Sequence, residues 1–92
     1  SMLSESLQAV ISQTLIKRVN GGRIAAHEIM LATPAIRNLI REDKVAQMYS
    51  AIQTGGKQGM QTMDQCLKAY VTDHLISVDH AREKARQADD FN

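Results

Sequence analysis

Apolar residues at the start of the chain recur every three or four positions, with polar residues between them. This spacing predicts a short amphipathic helix that ends near Ser12, because it places the apolar side chains on one helical face. The residues of that face are Leu3, Leu7, Val10 and Ile11.

A β-hairpin is predicted next. Two segments rich in Ile, Val, Leu and Thr, residues 13–19 and 23–31, flank the sequence Asn20-Gly21-Gly22. Asn and Gly tolerate the positive φ angles that a tight turn between antiparallel strands requires. Because an isolated hairpin is marginally stable in water, these strands need further elements to pack against.

Helical spacing returns after the hairpin, and Thr33-Pro34 predicts the start of the first helix. Thr can accept a hydrogen bond from a free backbone N–H, and Pro presets φ in the first turn. The apolar stripe of this helix is predicted to be Ile36, Leu39 and Ile40.

Three more helices are predicted, which makes the fold class α+β and mostly α, with an N-terminal helix, one antiparallel hairpin and about four helices. The tail, Asp89-Asp90-Phe91-Asn92, is expected to fray. The second helix carries the apolar residues Val45, Met48 and Ile52 and is broken by Gly55, Gly56 and Gly59. The apolar side of the third helix consists of Met63, Cys66, Leu67, Tyr70, Val71 and Leu75. The fourth helix is capped by Ser77 and runs from Val78 to about Ala88.

Charge and composition narrow the classes of function. Eleven basic and ten acidic residues leave a net charge of +1, without the one-sided field that attracts nucleic acid or an anionic membrane. The single Cys66 excludes an internal disulfide, and every apolar run is shorter than the roughly 18–20 residues that cross a bilayer. These features indicate a cytoplasmic protein that does not bind nucleic acid.

The sequence Thr54-Gly55-Gly56-Lys57 invites comparison with a phosphate-binding loop. That motif needs a further glycine where this chain has Ala51, and a hydroxyl where it has Gln58. A connection that breaks a helix is therefore the preferred interpretation of these glycines.

The remaining candidates for chemistry are isolated residues. His27-Glu28 lacks the second His of a zinc-protease helix, since Leu31 stands at that position, and Cys66 lies on an apolar stripe. Asp64 is interpreted as a favourable charge at a helix N-terminus. No catalytic, cofactor-binding or metal-binding residue is predicted. His27, His74 and His80 are interpreted as strand or surface residues.

The first predicted helix is the strongest candidate for a functional surface. Its exposed face carries two arginines four residues apart beside an apolar strip, and Arg is enriched at protein interfaces because it pairs with carboxylates through two parallel hydrogen bonds. From the residues alone, a contact surface and an ordinary solvated face remain alternatives. The segment consists of Ala35, Ile36, Arg37, Asn38, Leu39, Ile40, Arg41 and Glu42.

These eight residues resemble the AIRNLIRE signature of the retraction ATPases of type IV pili, a group of the secretion-ATPase superfamily. The resemblance extends through residues 10–15, 21–30, 51–55 and 59–62, and so covers nearly the whole chain. It implies that residues 1–92 are the C-terminal portion of a RecA-like motor domain. Within it, residues 1–32 form the helix and hairpin and residues 33–92 a helical subdomain.

The resemblance also implies a role in twitching motility. Members of this family are hexamers that hydrolyse ATP with Mg²⁺ and retract pili through an inner-membrane platform protein, which implies a cytoplasmic location beside that membrane. Their phosphate loop lies upstream of the segment matched here, so this chain alone is expected to be inactive. We expect its uncovered apolar faces to favour a dimer. The alternative is a free-standing helical adaptor for protein–protein interaction.

Overall fold

Two long antiparallel strands open the part of the chain that the computed structural model describes, residues 9–91. Strand β1 spans Ala9–Lys17 and β2 spans Arg23–Leu31. Between them, Gly21 and Gly22 have φ angles of 99° and 73°, left-handed values that Gly adopts without a steric cost. The predicted hairpin is therefore confirmed, with its turn at the predicted glycines.

The predicted N-terminal helix is wrong where the structure describes it. Val10, Ile11 and Ser12 belong to β1 and lie opposite residues 28–30 of β2. Val and Ile fit a pleated strand well, so pairing with β2 outweighs the local helical spacing. The rest of the predicted helix, residues 1–8, lies outside the described residues.

Four helices follow the hairpin in the described chain, so the mixed α+β class is confirmed. Their bounds are Pro34–Arg41 for α1, Val45–Gln53 for α2, Met63–Thr72 for α3 and Val78–Lys84 for α4. Single 3₁₀ turns lie at Gly56–Gln58 and Ala88–Asp90. Helix α4 thus ends four residues before the predicted Ala88.

Side-chain caps fix where α3 and α4 begin. Thr62 Oγ1 accepts a hydrogen bond from the Gln65 N–H at 3.1 Å, and Gln65 Oε1 accepts one from the Thr62 N–H at 2.9 Å. This reciprocal pair is a capping box, which satisfies two N–H groups that the helix leaves free. At α4, Ser77 Oγ accepts from the His80 N–H at 3.0 Å, as the sequence predicted.

The C-terminus of α3 closes around a residue in the left-handed conformation. His74 has a φ of 60°, its N–H donates to Val71 O at 3.0 Å, and the Leu75 N–H donates to Tyr70 O at 2.9 Å. Glycine is the usual residue at this position of a helix end, because it has no Cβ to clash. His74 therefore carries a local steric cost.

Replacing His74 by Gly is expected to raise the free energy of unfolding by about 0.5–1 kcal/mol, because the left-handed strain exceeds the entropy that Gly adds to the unfolded chain. His74 is exposed, so little packing is lost. Urea unfolding followed by far-ultraviolet circular dichroism measures the change. Asp73→Gly is the matched control, since Asp73 has a φ of −83° and should lose stability. A lower midpoint for both variants would contradict the prediction.

Two hydrophobic clusters make up the core of residues 9–91. The larger one joins the hairpin to α3, α4 and the C-terminal residues, and the smaller one joins α1 and α2 to the end of β2. Buried residues of the larger cluster are Ile16, Ala26, Cys66, Leu67, Ile76, Ala81 and Phe91; those of the smaller cluster are Ile36, Ile52 and Met60. The helical pair α1–α2 and the end of β2 therefore share a cluster that is separate from the one around α3 and α4.

The expectation that the tail frays is wrong for Phe91, whose side chain is only 4% exposed. The Phe91 N–H donates to Ala88 O at 3.0 Å, and the ring lies 5.5 Å from Lys68 Nζ. An aromatic side chain buries a large apolar area, which here is sufficient to order the residues before it.

The edge of β2 that faces away from β1 is also hydrogen-bonded. Ile29 exchanges two backbone hydrogen bonds with Gln61, at 2.8 and 3.0 Å, and Gln61 Nε2 donates to His27 O at 2.7 Å. Tyr70 Oη donates to Ala25 O at 2.6 Å. Burial raises the pKa of Tyr70 above its ordinary value of 10.0, and the neighbouring Cys66 thiol is a further cause of this rise.

Strand β1 exposes large apolar side chains on both faces of the hairpin. Ile11 is 61% exposed and Val10 52%, and Leu15 is exposed to a similar degree, as is Val19 in the turn after β1. The predicted self-association of the chain stays a prediction. Among the residues described, none of the helices combines the length and the apolar character needed to cross a membrane.

Candidate functional site

Helix α1 begins at the predicted residues. Thr33 is extended, with φ −68° and ψ 163°, and its Oγ1 accepts a hydrogen bond from the Ile36 N–H at 3.2 Å. Pro34 occupies the first helical position, where its missing N–H would have had no partner within the helix. The local sequence therefore determines where the candidate surface starts.

The other end of α1 is fixed by backbone hydrogen bonds around Asp43. Asp43 has a φ of 59°, its N–H donates to Ile40 O at 3.0 Å, and the Lys44 N–H donates to Leu39 O at 2.9 Å. Asp tolerates the left-handed region better than most residues. This short reversal turns the chain directly from α1 into α2.

The buried side of α1 holds the helix on the smaller cluster. Ile36 is 1% exposed and packs with Ile52 and Met60, while Leu39 is half-buried. The prediction that Ile40 belongs to this stripe is wrong, because Ile40 is 49% exposed. The helix is only eight residues long and Ile36 is its one buried residue, so its buried side is narrower than the sequence spacing suggests.

The opposite side of α1 carries the polar residues. Arg37 and Arg41 lie one turn apart and are both exposed, and Arg41 Nη1 donates to Asn38 Oδ1 at 2.9 Å. This hydrogen bond restricts the Arg41 guanidinium, which lowers the entropy that a partner would have to remove. Beyond the helix end, Lys44 Nζ lies 3.1 Å from Glu42 Oε1 in an exposed ion pair.

Exposed apolar residues border these arginines. Ile40 lies about 60° around the helix from Arg37, since each residue advances an α-helix by about 100°. Val45, at the start of α2, is 48% exposed. Arg is enriched at protein interfaces, so these residues are the candidate contact surface. We call Arg37, Asn38, Ile40, Arg41 and Val45 the arginine surface.

The glycine-rich connection after α2 has no phosphate-loop geometry. Helix α2 ends at Gln53, and residues 56–58 form a 3₁₀ turn closed by Gly59, which has a φ of 96°. Lys57 is exposed there. Gly55 is buried, and a Cβ on it would lie 3.0 Å from Ala51 O, so this glycine permits close packing. The predicted connection that breaks a helix is confirmed.

The isolated candidates do not come together in a reactive site. Cys66 is buried, His27 Nε2 lies 3.2 Å from Gln13 Oε1, and His74 is exposed at a helix end. His80 is half-buried, and its Nδ1 has no hydrogen-bond partner. Within residues 9–91, no group of three or more His, Cys, Asp or Glu residues is arranged to hold a metal ion.

Asp64 does more than the sequence predicted. It lies in the first turn of α3, as expected, but its carboxylate also accepts hydrogen bonds from the backbone N–H groups of Arg86 and Gln87, at 2.7 and 2.9 Å. The Arg86 guanidinium lies 3.6 Å from the ring centroid of Tyr49. These contacts join residues more than 20 positions apart, so spacing along the chain could not have revealed them.

Comparisons with known proteins agree with the fold and cover almost the whole chain. This chain is 74% identical over 91 residues to the type IV pilus retraction ATPase PilT of Pseudomonas aeruginosa, and the match covers 99% of this chain and 26% of that protein. It is 54% identical to a twitching motility protein of Neisseria gonorrhoeae, across 100% of this chain and 25% of the relative. Known protein-family profiles give no match.

A solved structure supports the same assignment. The crystal structure of the pilus retraction motor PilT with bound ADP superposes on 90% of this chain and 22% of its own with a TM-score of 0.74, at 38% identity. The chain therefore matches a segment of the type IV pilus retraction ATPases. It spans about a quarter of the length of the PilT proteins that it matches.

Proposed function

We propose that this chain is the part of a hexameric pilus-retraction motor that passes nucleotide-driven movement to the pilus machinery through the arginine surface. The observation that carries the proposal is the 74% identity to a pilus retraction ATPase over 99% of the chain. The exposure of Arg37 and Arg41 supports the choice of surface, because a contact residue must reach its partner.

In this proposal, the phosphate loop that holds ATP and Mg²⁺ belongs to a part of the motor outside this chain. The motor acts in the cytoplasm, at the inner membrane, against a platform protein of the pilus. The nucleotide is supported by the related pilus retraction motor of known structure, which has bound ADP, and the pilus by the related retraction ATPase and twitching motility protein.

Two features let the arginine surface transmit movement: the hydrogen bonding of its arginines and the packing of α1 with α2. The planar guanidinium of Arg pairs with a carboxylate through two parallel hydrogen bonds, which fixes the orientation of the partner as well as its distance. Asn38 restrains Arg41 before contact. Because α1 and α2 share the smaller cluster, a load on the contact passes from α1 to α2 and, through Met30 and Leu31, to the end of β2.

Replacing both Arg37 and Arg41 by Ala in the full-length protein is expected to reduce pilus retraction about tenfold or more, while ATP hydrolysis stays within about twofold. The loss of paired charges at an interface costs about 2–5 kcal/mol of contact energy. Twitching-zone diameter and optical-trap retraction measure the first quantity, and phosphate release by the purified protein measures the second.

Arg82→Ala is the matched control, because Arg82 is an exposed arginine on α4, outside the arginine surface. It should leave both quantities unchanged. A proportional fall of hydrolysis and retraction in the double variant would contradict the proposal, since the surface would then support assembly or catalysis instead.

A further inference from the structure

The C-terminal segment, residues 85–91, leaves α4 and folds back over α3 and α2. Ala85 ends the helix in an extended conformation, with ψ 147°. Asp64 then holds the next two residues: Oδ1 accepts from the Arg86 N–H at 2.7 Å, and Oδ2 accepts from the Gln87 N–H at 2.9 Å. Hydrogen bonds to an ionised carboxylate are about twice as strong as neutral ones. The segment is thereby fixed to the first turn of α3.

The Arg86 side chain contacts α2. Its guanidinium lies 3.6 Å from the centroid of the half-buried Tyr49 ring, the distance of a close cation–π stack. Tyr49 packs against the smaller cluster, which holds α1 and α2 together. The stack therefore connects the C-terminal segment to the pair of helices that carries the arginine surface.

The other end of the segment is anchored in the larger cluster. Phe91 is buried among residues of the hairpin, α3 and α4. The segment thus bridges the two clusters, with Phe91 in one and Arg86 against the other. Among the residues described, further polar contacts between the two sides include Gln65 Nε2, which donates to Gln53 O at 2.9 Å, and Gln61, which pairs with Ile29 and donates to His27 O in β2.

We propose that Asp64 and Arg86 are positioning residues that make the C-terminal segment a clasp, which sets the orientation of the α1–α2 pair on the body formed by the hairpin, α3 and α4. That this orientation matters for retraction rests on the proposed function, since most of the arginine surface lies on α1. The clasp itself depends only on the contacts of Asp64, Arg86 and Tyr49.

Hydrogen–deuterium exchange on the 92-residue chain tests the clasp. Arg86→Ala removes the stack but keeps the backbone N–H that Asp64 binds. We expect amides in α1 and α2 to exchange about two- to fivefold faster, which matches the usual strength of an exposed cation–π contact. Amides of β2 and of the middle of α3 should be unchanged. Asp64→Asn should in addition deprotect the Arg86 and Gln87 amides.

Conservative variants separate positioning from a general loss of stability. Tyr49→Phe keeps the aromatic face and should exchange like the unmodified chain, while Tyr49→Leu should resemble Arg86→Ala and add little to it in the double variant. Arg82→Ala is the control for loss of a cation. Unchanged exchange of α1 and α2 in Arg86→Ala, or a uniform increase that includes β2 and α3, would overturn the clasp.

The same variants in the full-length protein separate the two proposals. If the clasp positions the arginine surface, Arg86→Ala should lower retraction more than ATP hydrolysis, in the manner of the Arg37 and Arg41 variants. A failure of the proposed function would leave the exchange result intact, because exchange involves no pilus component.

Discussion

Replacing Phe91 by Ala is expected to lower the free energy of unfolding by about 3 kcal/mol, at the lower end of the range for a buried Phe. The ring is 4% exposed and lies in the larger cluster, but the exposed Asp89 and Asp90 before it leave room for some relaxation around the cavity. A domain of this size has a total stability of about 5–15 kcal/mol, so the loss is a large fraction of it.

Urea unfolding followed by circular dichroism at 222 nm measures this loss. Asp89→Ala, on an exposed residue two positions earlier, is the control and should change stability by no more than about 0.5 kcal/mol. If Phe91→Ala were equally mild, the tail would not be part of the core.

Replacing Ile36 by Ala is expected to cost about 2–4 kcal/mol, concentrated in the α1–α2 pair. Ile36 is 1% exposed and, with Ile52 and Met60, makes up the buried part of the smaller cluster. Removing it leaves a cavity that the two short helices cannot fill completely by moving closer together. Hydrogen exchange should therefore show faster local opening of α1 and α2 before the whole chain unfolds.

Ile40→Ala provides a control on the same helix with the same change of side chain. Ile40 is 49% exposed, so its loss should alter stability by no more than about 0.5 kcal/mol, and the higher helix propensity of Ala offsets part of that. Equal effects at the two positions would show that α1 is not held by its buried side.

The parts of the fold that depend on neighbouring residues could be predicted from the sequence. Gly21 and Gly22 supply the φ angles of the hairpin turn, and Thr33 and Ser77 supply the caps of α1 and α4. At each of these positions the residue type supplies a φ angle or a hydrogen bond that the backbone needs within three or four residues. The exposure of Arg37 and Arg41 followed from the same local periodicity.

The parts that depend on distant residues could not be predicted in this way. Val10 and Ile11 fit a helical spacing as well as a strand, and only the pairing with β2 decides between them. Phe91 has no apolar neighbour in the tail, and its burial depends on α3 and α4. Asp64 is a residue type typical of a helix N-terminus. Its second role, accepting the backbone hydrogen bonds of Arg86 and Gln87, requires those residues to fold back beside it.

The hydrogen bonds along the outer edge of β2 determine how this small sheet can grow. Carbonyl groups at Ala25 and His27 and both backbone groups of Ile29 are already taken by Tyr70 and Gln61. A strand from elsewhere would have to displace those partners in order to join there. Any additional strand will therefore add beside β1, and the sheet widens in one direction only.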